Sequence, residues 1–167
     1  MDKETFAGLV INSTDSLYRV SKSILKSNAD CEDAVSEAIV KAFGNLDSLK
    51  KDEYAKTWLI RILINECFHI RKQRDRVTLL SEEAPWVLES REGDGGDGPE
   101  IERYSELYQV MGKLKESQRL AIILYYYEGY SVKEIADIMD VTQGTVKSRL
   151  GRARKKLKQY LEEGYYV

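Results

Sequence analysis

Seven lysines and arginines lie between Thr142 and Gln159 with no acidic residue among them: Lys147, Arg149, Arg152, Arg154, Lys155, Lys156 and Lys158. The chemistry open to such a run is the neutralisation of a polyanion. Each cation that meets a DNA phosphate releases condensed counterions, and binding then falls with salt at a slope near −0.9 per contact. Gln143, Thr145, Lys147, Ser148 and Arg149 add groups suited to base edges, since Gln pairs with adenine and Arg or Lys with guanine. Thr142 is placed to start the helix that carries them, and Gly144 would let a backbone come close. Arg152, Lys155 and Lys156 suit phosphates. The competing reading is a solvated helix face with cations placed to suit its dipole.

A second cationic group is the tract HIRKQRDR, residues 69–76. His69, Arg71, Lys72, Arg74 and Arg76 follow Trp58, Arg61 and Asn65 on one predicted helix. Aromatic faces and cationic grooves hold unpaired strands, whereas an aromatic residue at helical spacing is more often a core anchor. A third group is acidic: Asp30, Glu32, Asp33 and Glu37. Acid in a first turn complements the helix dipole, but Glu37 lies beyond that turn with Asp33 on the same face. A docking surface for a basic partner is the functional alternative.

Catalysis finds little support. His69 is the sole histidine and has no triad partner, and no GxxxxGK phosphate loop occurs. Cys31 and Cys67 lack metal or redox spacing, and zinc needs about four ligands. Neither a metal nor a cofactor is expected. The cysteine usage fits a reducing cytoplasm. No apolar run approaches the ~18–20 residues that span a bilayer, and MDKETFAGLV has no signal-peptide pattern.

These groups need elements to hold them, and the periodicity is helical throughout. Leu17, Val20, Ser21, Ile24 and Leu25 give one stripe. A second helix is expected from Asp30 as N-cap, with Ala34, Val35, Ala38, Ile39, Ala42 and Phe43 inward and a stop at Gly44–Asn45. A third is predicted from Glu53 to Arg74. Later helices are predicted over 102–114 and 117–127, the latter stopping at Gly129. Ser131 and Glu134 then form a capping box. Asp140 and Val141 make a turn, and Thr142 caps a final helix with Val146, Leu150, Ala153 and Leu157 on its inner face. A short turn between two such helices is a helix-turn-helix, whose second helix enters the major groove.

Both prolines, Pro85 and Pro99, and four of the eleven glycines fall in one aperiodic stretch. Residues 78–106 carry a net charge of −7, against +1 for 1–77 and +4 for 107–167. Structureless loops beyond ~12–15 residues are uncommon inside a domain, so 78–104 is expected to be an acidic linker. It would join two all-α domains, 1–77 and 105–167. About 25 residues reach at most ~80–90 Å.

Three segments in order, DCEDAVSEAIVKAF, KTWLIRILINECFHIRKQR and ESQRLAIILYYYEGYSVKEIADIMDVTQGTVKSRLGRARKKL, resemble regions 2.2, 2.3–2.4 and 4 of bacterial sigma factors of the extracytoplasmic-function (ECF) group. The resemblance covers nearly the whole chain. It implies a non-catalytic initiation factor that binds core RNA polymerase and directs it to promoters. Asp33, Ser36, Glu37 and Lys41 would dock on the β′ clamp helices, with Ser36 where the family commonly has Gln. Trp58, Arg61, Asn65, His69, Arg71, Lys72, Arg74, Arg76 and the Gly44–Asp52 loop would melt and read the −10 element. Leu63 and Ile64 stand where many members have Ala-Arg. The Thr142–Arg154 segment and the cations after it would bind the −35 element, with region 4 packed on the β flap. Members are usually restrained by an anti-sigma factor, often membrane-anchored. A stand-alone helix-turn-helix regulator would explain 117–158 but leave the Trp58 helix and the linker unused.

Overall fold

The computed structural model describes residues 1–78 and 109–163, and every element in them is helical. The linker expected over 78–104, apart from Thr78, lies outside the described residues. So do residues 102–108 of the helix expected over 102–114.

Helix α1 spans Lys3–Lys22 and is capped by Asp2, whose carboxylate accepts the Thr5 amide at 2.8 Å. Phe6, Val10, Leu17 and Val20 recur on one side and are buried. Ile24 and Leu25, expected on the same stripe, lie just past the helix end, where the Leu25 amide bonds to the Ser21 carbonyl at 2.9 Å. Both remain in the core, at 3 % exposure each.

Helix α2 spans Asn28–Gly44 and starts earlier than the sequence suggested. Ser27 is the cap, accepting the Asp30 amide at 3.1 Å. Asp30 is engaged elsewhere: its two carboxylate oxygens receive Arg74 Nη2 at 2.7 Å and Nε at 3.2 Å. A forked, charge-assisted pair outweighs a single cap bond, so the serine three residues back takes the capping role.

Two short 3₁₀ turns, Leu46–Ser48 and Asp52–Tyr54, lead into α3, Ala55–Thr78. Leu59, Ile60, Leu63, Ile64 and Cys67 are all buried. The apolar band is wide because α3 packs on α1 and α2 on one side and on the C-terminal half on the other.

In the C-terminal half, residues 109–112 are helical and the chain then enters α4, Glu116–Ile122. The continuous helix expected to Tyr127 instead widens into a π turn over Ile123–Tyr127. Its mark is the Glu128 amide bonding the Ile123 carbonyl, five residues back, at 3.0 Å. Gly129 follows with φ +72°, a conformation glycine adopts without strain.

Helix α5, Val132–Met139, carries the full capping box: the Ser131 amide donates to Glu134 at 2.8 Å, and the Glu134 amide to Ser131 Oγ at 3.1 Å. Asp140 turns the chain at φ 55°, tolerable for Asp. Helix α6, Gln143–Glu162, begins under the Thr142 cap, whose hydroxyl accepts the Thr145 amide at 3.1 Å. Val146, Leu150 and Ala153 are buried and Leu157 half-buried, as their spacing required.

The two halves do not stand apart. Their buried residues form one hydrophobic cluster running from Phe6 to Ala153. Between them, Arg119 is 6 % exposed and donates from Nε to the Ser23 carbonyl at 2.8 Å and from Nη1 to the Leu114 carbonyl at 3.2 Å. Its guanidinium is pushed down from its usual pKa by burial.

Candidate nucleic-acid interface

The inner stripe of α6 fixes where its other residues point. At 3.6 residues per turn, Ser148, Arg152 and Lys155 lie roughly opposite Val146. Thr142, Gln143, Gly144, Lys147, Ser148, Arg152 and Lys155 are exposed, and Thr145, Arg149 and Lys156 are half-buried. Lys147, Arg149, Arg152, Lys155 and Lys156 form no ion pair among the described residues. Lys158 stands 3.9 Å from Glu162. Arg154 is drawn to the π turn, where it donates to Tyr126 Oη at 2.6 Å and lies over the Tyr125 and Tyr126 rings. Nothing in the fold calls for glycine at 144: an added Cβ would meet only Thr142 Oγ1, at 3.9 Å.

Helix α3 is arranged differently. Trp58 is half-buried and packs edge-on to Phe6, ring centroids 6.0 Å apart, so it is partly the core anchor that its spacing suggested. Its remaining surface lines a cleft of about 310 Å³ between α2 and α3, with Asn45, Ser48, Asn65, Glu66 and Lys41. Glu66 is 8 % exposed and receives Lys41 Nζ at 2.5 Å. That bond holds the Lys41 ammonium above its ordinary pKa. Lys41 thus faces the cleft, although it also stays within 3.9 Å of Glu37.

Two of the four lysines and arginines in the basic tail of α3 are paired. Arg74 is bonded to Asp30, which holds its guanidinium above its usual pKa. Arg71 pairs with Glu116 of α4 and lies over the Phe68 ring. Arg61 stands 4.0 Å from Asp140. His69 is exposed and meets Gln73 Nε2 at 3.2 Å. Lys72 and Arg76 are exposed.

On α2, Asp33, Ser36 and Glu37 are exposed, while Asp30 is withdrawn at 8 % exposure. The acidic cluster is therefore one residue smaller at the surface than the sequence suggested. Val40, missed by the periodicity, joins this face at 67 % exposure. Its signal was its phase, since it lies about 200° round the helix from buried Ala38.

A helical platform holding a capped, cation-faced second helix, joined to a helical bundle with its own aromatic and cationic cleft, is the architecture of sigma-70 proteins. Residues 10–77 match Sigma-70 region 2, and residues 104–157 match Sigma-70 region 4. The ECF RNA polymerase sigma factor SigW of Bacillus subtilis is 30% identical over 97% of this chain and 91% of its own length. The ECF RNA polymerase sigma-E factor of Escherichia coli is 32% identical over 92% of this chain and 85% of its own. The chain belongs to the ECF RNA polymerase sigma factors, which give RNA polymerase its promoter-specific initiation.

Solved structures agree. The sigma factor RpoE of Bartonella quintana, in complex with the anti-sigma factor NepR, superposes with a TM-score of 0.77 at 26% identity, covering 95% of this chain and 98% of that one. CnrH, in complex with the cytosolic domain of CnrY, shares the fold with a TM-score of 0.70 at 24% identity, covering 97% of this chain and 90% of that one. Among the described residues no helix is long and apolar enough to cross a membrane.

Proposed function

We propose that three helices divide the work of initiation. The outward face of α2, with Asp33, Ser36, Glu37 and Val40, docks on core RNA polymerase at the β′ clamp helices. An exposed apolar residue among carboxylates suits a basic partner with an apolar centre. Helix α3 takes the −10 element: Trp58, Asn65 and Lys41 line a cleft wide enough for an unpaired base. Arg61, His69, Arg71, Lys72, Arg74 and Arg76 follow the backbone of that strand. Helix α6 takes the −35 duplex, with Gln143, Thr145, Lys147, Ser148 and Arg149 at base edges and Arg152, Lys155 and Lys156 on phosphates. Gly144 and the Thr142 cap bring its first turn close to the DNA.

The division follows the region boundaries, with 1–77 and 105–167 as the two domains, 78–104 as the acidic tether, and the β flap as the seat of the second domain. The protein acts in the cytoplasm, performs no reaction of its own, and is bound by an anti-sigma factor, as RpoE of Bartonella quintana is in its solved complex with NepR.

The observation that carries this reading is the α6 face: cations without acidic partners on a helix whose cap and inner stripe fix its orientation. Reconstituted run-off transcription with purified core polymerase tests it. Initiation should depend on this chain. Lys147→Ala or Arg149→Ala should reduce transcription from promoters with a −35 element about tenfold, the effect of ~1.4 kcal/mol, with core binding intact. Equal loss of polymerase association would refute the division of labour. Glu37→Lys should weaken core binding in a pull-down without unfolding the protein.

A further inference from the structure

One cation of the reader helix is tied down by uncharged groups. Arg154 donates from Nε to Tyr126 Oη at 2.6 Å, and its guanidinium lies 5.6 Å from the Tyr125 ring centroid and 5.5 Å from that of Tyr126. The two rings meet edge to face with centroids 4.9 Å apart. Both belong to the π turn over Ile123–Tyr127, so that turn presents a phenol oxygen and two ring faces to α6. Core packing does not account for the arrangement, because Tyr126 is 55% exposed.

The position of Arg154 on the helix says what the tether withholds. It lies seven residues after Lys147, which is about two turns and ~10.5 Å further along, offset by only ~20° around the axis. A recognition helix meets base edges with its N-terminal residues, so a cation two turns further along on the side of Lys147 stands at the level of the phosphates. Arg154 is exposed there and forms no ion pair among the described residues. A neutral partner suits the place. A carboxylate beside α6 would repel DNA, whereas a phenol can hold the guanidinium by a hydrogen bond and ring contact and leave the positive potential of the face unchanged.

Resting on the reading of α6 as the −35 helix, we infer that Tyr126 is a positioning residue that holds Arg154 away from the DNA backbone and so lowers the sequence-independent affinity of α6. A phosphate contact carries no sequence information. Withholding one weakens binding to the −35 element and to arbitrary duplex by the same factor, and arbitrary duplex is by far the more abundant competitor.

Holoenzyme assembled from the full chain and core polymerase tests this by anisotropy over a range of salt concentrations. One duplex carries the −35 element of a promoter that the protein transcribes, and the other has that element scrambled. Tyr126→Phe keeps the ring and removes the acceptor. It should steepen the salt slope by about 0.9, the value of one added phosphate contact, and tighten binding to both duplexes by the same severalfold factor. Tyr126→Leu removes ring and hydroxyl together and should show at least the same gain if the phenyl ring alone still holds the guanidinium. Adding Arg154→Ala to either variant should abolish the gain. Unchanged or weaker binding in both folded Tyr126 variants would overturn the restraint. So would a slope lowered by about 0.9 in Arg154→Ala alone, since Arg154 would then already meet a phosphate. Arg152→Ala separates the two ideas. If it leaves the slope unchanged, the reading of α6 fails; if it lowers the slope while both Tyr126 variants change nothing, only the restraint is refuted.

Discussion

On α6 the cations Lys147, Arg149, Arg152, Lys155 and Lys156 meet solvent, whereas on α3 Arg61, Arg71 and Arg74 face Asp140, Glu116 and Asp30. Both helices carry an excess of positive charge, but α3 spends three of its cations on the protein's own carboxylates, whereas these five on α6 have no acidic partner among the described residues. A duplex offers a regular phosphate lattice, and a preset helix face can meet it as a rigid body. A separated strand exists only after melting. Cations that stay paired until then do not compete for intact duplex, and two of them, Arg61 and Arg71, pair across to the C-terminal half. The difference follows from where the carboxylates fall. None lies between Thr142 and Gln159, while α3 packs on α2, where Asp30 meets Arg74, and its Arg71 reaches Glu116 of α4.

The largest expected effect tests the platform under α6. Leu150 is 2 % exposed beneath the reader helix. Leu150→Ala should cost about 2–5 kcal/mol of stability, because truncation leaves a cavity. Calorimetry or denaturant melting reads it. If stability is unchanged, the orientation of α6 is not set by its inner stripe.

The next effect contrasts the two charge sets directly. In holoenzyme binding to a −35 duplex fragment, Arg152→Ala, Lys155→Ala and Lys156→Ala should each lower the salt slope by about 0.9 where a phosphate contact is lost. Arg71→Ala and Arg74→Ala should leave that slope unchanged and reduce formation of the open promoter. Anisotropy against salt and permanganate footprinting separate the outcomes. Equal slopes from both sets would erase the distinction between the helices.

A smaller effect probes the pairing itself. Asp30→Asn keeps the shape but removes the charge beneath Arg74. Thermal stability should fall slightly. The difference should shrink in high salt, since the Arg74 side chain is 66% exposed and solvent screens the pair. Arg74 should then be freer for a strand. A loss that salt does not touch would mean the pair acts by shape rather than charge.

What could be read from residues alone divides along the same line. The α6 reader was legible because its signals are local: the Ser131–Glu134 box, the Asp140 turn, the Thr142 cap and a stripe at 146, 150, 153 and 157 all lie within 27 residues. The α3 site was legible only as a set of residue types. That Asp30 would leave its helix cap for Arg74, 44 residues away, depends on tertiary packing. Periodicity carries no information on such a pairing. The bond from Arg119 to the Ser23 carbonyl is hidden more deeply, because a backbone acceptor leaves no mark in residue type. The π turn was missed because Ile123–Tyr127 is as apolar as the helix it interrupts.

The smallest substitution asks whether the α6 surface is shaped for an external partner. Gly144 is in the first turn, with no positive φ and no neighbour nearer than 3.9 Å to an added Cβ. Elsewhere in a helix, glycine costs about 1 kcal/mol relative to alanine, so Gly144→Ala should leave stability equal or slightly raised. Its new methyl would project from the turn held by the Thr142 cap, between Gln143 and Thr145. If that turn meets a DNA backbone at close range, affinity for the −35 duplex should drop severalfold while the melting temperature holds or rises. Opposite signs in the two measurements are what a functional glycine requires. If both rise together, the close approach lies elsewhere on α6, and Ser148, Arg152 and Lys155 become the centre of the contact.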